Sequence, residues 1–222
     1  MPIKPLAIDL FCGLGGWCEG LQAEGWDVIG FDIERHVYGE HRYPGMLAIQ
    51  DVLTLHGSQF KTAALIVASP PCQFFSYTAM PWSRAKKLAA EVRADPERLA
   101  KELALFNACF RLQREACEAA GRHIPMVVEN VRGAEPWVGR SRWNFGSFHL
   151  WGDVPALMPP AKAVKVPSGE GRRTDPGKGA RFTSRDCGVE NGSKSPARKM
   201  AAAMIAKIPE PLSRHVARAY RP

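Results

Sequence analysis

The stretch that decides the fold is Leu6-Ala7-Ile8-Asp9-Leu10-Phe11-Cys12-Gly13-Leu14-Gly15-Gly16. Leu6–Phe11 is an apolar run of strand length that breaks into a glycine-rich turn, and a helical pattern follows to about Glu24. The glycines let the backbone turn tightly and let a ligand approach the N-terminus of that helix, where N–H groups stand unpaired. Working outward, the same unit repeats. Asp27–Phe31 reads as a second strand followed by a polar helix near 34–42, Met46–Ile49 as a third strand, and Ala63–Ala68 as a fourth. The last is an unbroken apolar run, the kind buried on both faces of a parallel sheet. Residues 77–96 read as polar and irregular up to a helix start at Asp95-Pro96, with Asp as cap and Pro at the first helical position. That helix has Leu99, Leu103, Phe106 and Phe110 on its apolar face and ends at Gly121. Met126–Val128 is a fifth strand, and Pro209-Glu210-Pro211 opens a last helix over Leu212–Tyr220. Strand–helix alternation at this spacing predicts an α/β fold, a doubly wound and mostly parallel sheet with its ligands at the carboxyl ends of the strands.

Residues able to do chemistry fall at those ends. Gly13-Leu14-Gly15-Gly16 is not GxGxxG, because position 18 is Cys18, which argues against a nicotinamide site. Asp32 ends the second strand, where a carboxylate can accept both hydroxyls of a ribose. Turn and carboxylate together point to a nucleoside-bearing cofactor. Asp51 follows the third strand, and Ser69-Pro70-Pro71-Cys72-Gln73 follows the fourth. Two prolines fix the backbone just before a cysteine at a ligand-binding edge, so the thiol is presented rigidly, as a nucleophile requires. Glu129-Asn130 closes the fifth strand.

Three of these segments resemble the DNA cytosine-5 methyltransferase family. Asp9–Gly16 is similar to its first cofactor motif, Pro70-Pro71-Cys72-Gln73-Phe74-Phe75-Ser76 to its nucleophile motif, and Val128-Glu129-Asn130-Val131 to its catalytic glutamate motif, in the family's order and at its separations. The resemblance covers residues 1–150 well and 200–222 loosely. It implies a Rossmann-like fold of the S-adenosylmethionine-dependent methyltransferase type. It also implies that Phe11 packs on the adenine of S-adenosylmethionine. Cys12, Gly13, Gly15 and Gly16 would line the cofactor loop, with Ile33, Val52 and Pro70 also at the cofactor. Asp32 would hold the ribose and Asp51 the adenine amino group. Cys72 would be the nucleophile, Glu129 would contact the base at N3, and Asn130 would brace the loop, with Gln73 and Ser76 beside the nucleic acid. For that chemistry Cys72 must ionise near neutral pH, Glu129 must have a raised pKa, and the base must leave the stack.

The charge then takes a narrower meaning. Apolar residues make up 45% of the 222 and charged residues 23%, which excludes a disordered chain, and the net charge is +8. Residues 1–150 hold 16 basic and 16 acidic side chains, whereas 151–199 hold 10 and 5 and 200–222 hold 4 and 1. The neutral stretch 1–150, together with 200–222, reads as the catalytic domain. The Gly- and Pro-rich basic segment 151–199 reads as a reduced recognition region, shorter than the family's usual recognition domain. It holds DNA by phosphate contacts through Lys162, Lys165, Arg172, Arg173, Lys178, Arg181 and Arg185. Residues 77–96 are expected as a mobile loop over a flipped base, with Arg84, Lys86 and Lys87 for phosphates. Six scattered cysteines without a CxxC pair suit a reduced, cytoplasmic protein, as of a bacterial or phage-infected cell. Dispersed histidines predict no metal site, and no run is long and apolar enough for a membrane span. No obligate protein partner is inferred.

Two family motifs are altered. Of a Gln-x-Arg-x-Arg motif whose arginine holds the cytosine O2, only Gly139-Arg140-Ser141-Arg142 remains, with Val138 where Gln is expected, and Arg140 and Arg142 are assigned to it. Of a terminal Gly-Asn-x-Val-Pro motif, Ala206-Lys207-Ile208-Pro209 keeps the Ile-Pro part. Lys207 beside the cofactor would favour a co-substrate with an extra carboxylate. The reading is a small, phage-like enzyme that methylates C5 of cytosine in DNA. The alternatives are the same chemistry on RNA, or a non-catalytic DNA-binding member.

Overall fold

The computed structural model describes residues 3–76, 82–157 and 196–222. In chain order its elements are β1 (Leu6–Leu10), α1 (Gly16–Ala23), β2 (Asp27–Asp32), β3 (Val37–Tyr38), β4 (His41–Arg42), β5 (Met46–Ile49), β6 (Leu65–Ala68), α2 (Trp82–Ala94), α3 (Pro96–Ala120), β7 (Met126–Asn130), α4 (Glu135–Val138), β8 (Trp143–Phe145), β9 (Phe148–Gly152), α5 (Pro196–Ala206) and α6 (Glu210–Ala219). The main sheet has seven strands in the order β5-β2-β1-β6-β7-β9-β8. The first five are parallel, while β9 pairs antiparallel with both β7 and β8. The order turns back between β1 and β6, and a crevice at such a switch point is where doubly wound sheets bind ligands.

Side chains alternate across the central strands and are buried on both faces, as the unbroken apolar runs require. Ile8, Leu10, Ile66, Ala68, Met126 and Val128 pack with Phe106, Cys109 and Leu112 of α3. Ala7, Leu65, Val67 and Val127 pack with Trp17 and Leu21 of α1 and with Leu212 and Val216 of α6. The α1–α6 contact is close enough that a Cβ on Gly16 would lie 2.5 Å from the Ile208 amide nitrogen and 2.6 Å from its carbonyl oxygen. Gly16 thus has a packing role against the Ile208 backbone. At the other end of α1, Glu24 accepts from Arg218 at 2.8 Å and Arg214 at 2.6 Å, and these bonds pull its carboxyl down to about 2.

Helix α3 has the caps its sequence specifies. Asp95 accepts from the Arg98 amide at 3.0 Å, and Gly121 takes a left-handed φ of 64°. Two sequence expectations are corrected. Residues 34–42 form the β3–β4 hairpin instead of a helix, because Gly39, at φ 61°, makes a two-residue turn between Val37-Tyr38 and His41-Arg42. Within 77–96, residues 82–94 are helical instead of irregular, and α2 buries Ala85 and Val92 with Leu88 and Ala89 half-buried between them, a helical period of small side chains. After Asn130 the chain runs through α4 into the β8–β9 hairpin around Gly146.

Candidate active site

The turn after β1 is strained and tight. Phe11, at φ 57°, is the one described residue other than glycine with a positive φ, and Gly13 and Gly15 follow at 50° and 79°. The Gly15 amide donates to the Cys12 carbonyl at 2.8 Å, and the Cys12 amide to the Phe31 carbonyl at 3.2 Å, which binds the turn to the end of β2. Asp32 stands there with its oxygens engaged. The Gly13 amide donates to Oδ2 at 2.9 Å, the Glu34 amide to Oδ1 at 3.4 Å, and His36 Nε2 lies 3.5 Å from Oδ1. A Cβ on Gly13 would meet nothing within 4 Å, so open space lies beside the turn. Ile33 is 68% exposed and Leu53 47% exposed, two apolar side chains left in solvent next to a carboxylate held by backbone amides. Asp51 caps the turn after β5 by accepting from the Leu53 amide at 2.9 Å, and Val52 is buried behind it. This is a donor and apolar set that fits a nucleoside, with Asp32 for hydroxyls and aliphatic surface for a base. Underneath, Asp9 is fully buried with the Tyr43 hydroxyl at 3.4 Å from Oδ2, and loss of water pushes its carboxyl up. Burial likewise pushes the Cys12 thiol up, and the Cys18 thiol to about 12, so neither is a nucleophile.

The second half of the site lies one strand across. The Ser69 amide donates to the Leu10 carbonyl at 3.1 Å, which starts the Cys72 loop beside β1. The loop closes on itself: the Phe75 amide donates to the Cys72 carbonyl at 3.0 Å and the Ser76 hydroxyl donates to it at 2.9 Å. Phe75 is buried against Phe106, with ring centroids 6.3 Å apart. Asn130 Nδ2 donates to the Pro70 carbonyl at 2.9 Å, and its Oδ1 accepts from the Val131 amide at 2.8 Å. Both ends of the loop are therefore fixed, while Cys72 is half-buried and Gln73 exposed.

Glu129 is only 8% exposed. The register Ala68↔Val128 sets Ser69 beside it, and burial raises its carboxyl to about 8 against the opposing pull of the Ser69 hydroxyl. Trp17 Nε1 in turn donates to Ser69 Oγ at 3.0 Å. At neutral pH the β7 end thus presents a protonated carboxyl, able to give a proton to a ring nitrogen, on the strand next to the loop that holds a thiol. Ser69 and Trp17 carry no role in the sequence reading. Ser69 was legible as the residue beside the fifth strand's end, whereas Trp17 reads as one more apolar residue of α1.

Other expected residues are placed elsewhere. Arg140 is exposed ahead of β8. The Arg142 amide donates to the Leu150 carbonyl at 2.8 Å, and its guanidinium acts on the Tyr220 phenol. Tyr220 bonds through its hydroxyl to the Asp153 carbonyl, and Asp153 accepts from Met126, the first residue of β7, while the Arg142 backbone bonds to Leu150, the residue of β9 that pairs with Glu129. Lys207 Nζ donates to Glu19 at 2.6 Å, its charge already taken by a carboxylate of α1. Arg84, Lys86 and Lys87 are exposed on the outer side of α2. Lys162, Lys165, Arg172, Arg173, Lys178, Arg181 and Arg185 lie outside the described residues, as do 77–81. Among the described residues no group of His, Cys, Asp or Glu is placed to hold a metal ion, and no helix is long and apolar enough to cross a membrane.

Residues 6–88 match the family model of C-5 cytosine-specific DNA methylases. Among solved structures, the chain is similar to a protein described as a DNA modification methyltransferase encoded within an E. coli prophage, at 25% identity over 59% of this chain and 33% of that one, with a TM-score of 0.39. It is similar to the Dnmt2 methyltransferase of S. pombe at 16% identity over 61% and 37%, TM-score 0.38. The Entamoeba histolytica methyltransferase EhMeth matches at 18% identity over 62% and 41%, TM-score 0.39. The chain thus spans well under half the length of these solved proteins. No curated protein matches it at a significant level. The fold is a mostly parallel, doubly wound sheet with helices on both faces, and over residues 6–88 the chain is similar to the C-5 cytosine-specific DNA methylases.

Proposed function

We propose that this chain methylates C5 of cytosine in DNA. The observation that carries the reading is Glu129: a buried carboxyl held protonated at neutral pH, on the strand beside the loop that presents Cys72. S-adenosylmethionine, when bound, supplies the methyl group. Phe11, Cys12, Gly13, Gly15, Asp32, Ile33, Asp51, Val52 and Pro70 would hold it, with Asp32 on the ribose and Asp51 on the adenine.

C5 of cytosine is too weakly nucleophilic to accept a methyl group unaided. Addition of the Cys72 thiolate to C6, with the Glu129 proton passing to N3, moves electron density onto C5 and leaves an enamine. After methylation the C5 proton passes to water as its electron pair returns to the C5–C6 bond and expels the thiolate, and the N3 proton goes back to Glu129. Glu129 suits the first step because its carboxyl gives up a proton near neutral pH. Asn130, by holding the Pro70 carbonyl, ties the strand that carries the acid to the loop that carries the nucleophile. The base must be extruded from a duplex, since C6 is unreachable inside the stack.

Residues 1–150 and 200–222 form the catalytic unit of this proposal, and 151–199 the recognition segment. Arg84, Lys86, Lys87 and the basic residues of that segment supply phosphate contacts, so DNA affinity falls steeply with salt. The test is a covalent trap. With cofactor and DNA containing 5-fluorocytosine, wild type forms a denaturation-resistant adduct, because fluorine at C5 cannot leave as the proton does, and Cys72→Ser forms none. An adduct on 5-fluorocytosine RNA alone would move the activity to RNA. No adduct on either would leave a binding protein.

A further inference from the structure

Between its two fixed ends, the Cys72 loop has one more attachment. The ring of Phe74, two residues beyond the thiol, lies with its centroid 5.0 Å from that of Trp137, tilted at 57°. Arg93, in the last turn of α2, places its guanidinium carbon 4.8 Å from the centroid of the same indole. Phe74 also meets the buried Phe75 edge-on at 5.2 Å, so the contact continues into the core. Trp137 stands on the short helix α4, and that helix is itself anchored. Glu135 accepts from the Ser141 hydroxyl at 2.6 Å and from the Ser141 amide at 3.1 Å, and His149 Nδ1 lies 2.9 Å from the same hydroxyl. On the other side of α4, Trp151 Nε1 donates to the Gly139 carbonyl at 2.9 Å. His149 and Trp151 belong to β9, the strand paired with β7, so the indole is referenced to the strand that carries Glu129.

We propose that Trp137 is a positioning residue for the nucleophile, one indole that holds Phe74 of the Cys72 loop and Arg93 of α2 against the turn after Glu129-Asn130. Asn130 fixes the loop at Pro70 and Phe75 fixes it in the core, which leaves Pro71, Cys72, Gln73 and Phe74 between them. Of these, Phe74 carries the large side chain, and an aromatic pair restrains it by its geometry as well as by buried area. Arg93 brings α2 to the same ring, so the docking of a basic helix and the placing of the thiol share one support. A packing role alone would make Trp137 matter to stability and leave the thiol where it is.

The positioning rests on the proposed function only for its activity arm, and the primary readout needs no activity. In the full chain, iodoacetamide labelling is followed by peptide mass spectrometry at Cys72, with the half-buried thiol of Cys117 on α3 as internal reference. Trp137→Ala is expected to raise the Cys72 rate relative to Cys117 by about two- to tenfold, the equivalent of one aromatic pair. Phe74→Ala should do the same, the double variant no more than either, and Trp137→Phe should restore most of the protection. Arg93→Ala, at an exposed position, gives a smaller rise and carries the test together with Phe74→Ala if Trp137→Ala does not fold. A Cys72 to Cys117 ratio equal to wild type in these variants, or effects that simply add in the double variant, would overturn the proposal. In the activity arm, Trp137→Ala slows adduct formation with 5-fluorocytosine DNA and leaves the KM for the cofactor unchanged. If wild type forms no adduct, the methyltransferase reading fails, and the labelling ratio still decides the positioning.

Discussion

At the end of β2, Asp32 accepts from two backbone amides and stands beside His36. At the end of β7, Glu129 is buried with the Ser69 hydroxyl beside it, and its carboxyl is raised to about 8. Both are carboxyl side chains at the C-terminal end of a parallel strand, so neither residue type nor topology distinguishes them. Their surroundings do. Fixed amides around Asp32 orient an acceptor and leave it facing open space next to Gly13, which suits recognition of hydroxyl donors. Scarcity of donors around Glu129 makes the charged form expensive and keeps a proton in place, which suits chemistry on a base. On the proposed reading, one sheet edge holds a binding carboxylate and a reacting carboxyl, told apart by desolvation.

Glu129→Gln would break the comparison most deeply. Gln keeps the shape and cannot give up a proton to N3, so methyl transfer is expected to fall by about 10²- to 10⁴-fold, measured in single turnovers with saturating cofactor. The same variant changes stability against pH. Below the ordinary carboxyl range both folded and unfolded chains hold the proton. Between about 4.5 and 8 the folded chain keeps a proton that the unfolded chain releases, so wild-type stability falls as pH rises through that window, by up to about 1.4 kcal/mol per pH unit. In urea titrations Glu129→Gln should lose the Glu129 part of that slope, leaving Asp9, which burial also pushes up, and His149, which burial pushes down and which acts in the opposite sense.

Asp32→Ala should act on binding instead. Loss of charge-assisted bonds to a ligand raises the KM for the cofactor by about ten- to a hundredfold, with kcat at saturation little changed. A loss confined to kcat would erase the division of labour between the two carboxyls. Gly16→Ala sharpens the boundary between site and scaffold. A methyl group there meets the Ile208 backbone, and overpacking of this kind costs about 1–3 kcal/mol, visible as a lower Tm. A cofactor-lining glycine would lose affinity at unchanged Tm.

How much of this was legible follows from how local each signal is. The strand ends, the Pro-Pro-Cys loop, and the Asp95 and Gly121 caps are written within a few residues of one another, and the structure has them within two residues of where the sequence reading put them. Helix α2 was missed because its buried stripe is built on Ala85 and Ala89, too small to stand out among Arg84, Lys86 and Lys87. The two hairpins were written in the chain as well. Gly39 and Gly146 each take the first place of a two-residue turn between β-forming residues, and a polar count over 34–42 hid the first of them. Asp32 was legible as a strand-terminal acid, but its amide donors come from Gly13, nineteen residues away. Glu129 was legible as a strand-terminal acid too, but its role came only through a family motif, because its raised pKa comes from burial, and burial is a property of the assembled sheet.

Ser69→Ala gives the smallest effect and separates the terms at Glu129. The Ser69 hydroxyl stabilises the charged carboxylate, so it works against the burial that raises the pKa. Removing it should move Glu129 higher still. If Glu129 reacts as an acid, activity is lost as pH rises through its pKa, so the alkaline limb of the pH–rate profile should shift to higher pH in Ser69→Ala. The variant also leaves Trp17 Nε1 without its acceptor, at a cost of roughly 1–3 kcal/mol in stability. Trp17→Phe removes that donor without removing the Ser69 hydroxyl, so it should lower Tm and leave the alkaline limb in place. An alkaline limb that moves equally in both variants would mean that the pKa of Glu129 follows the packing of α1 on the sheet, and that the hydroxyl beside it contributes nothing of its own.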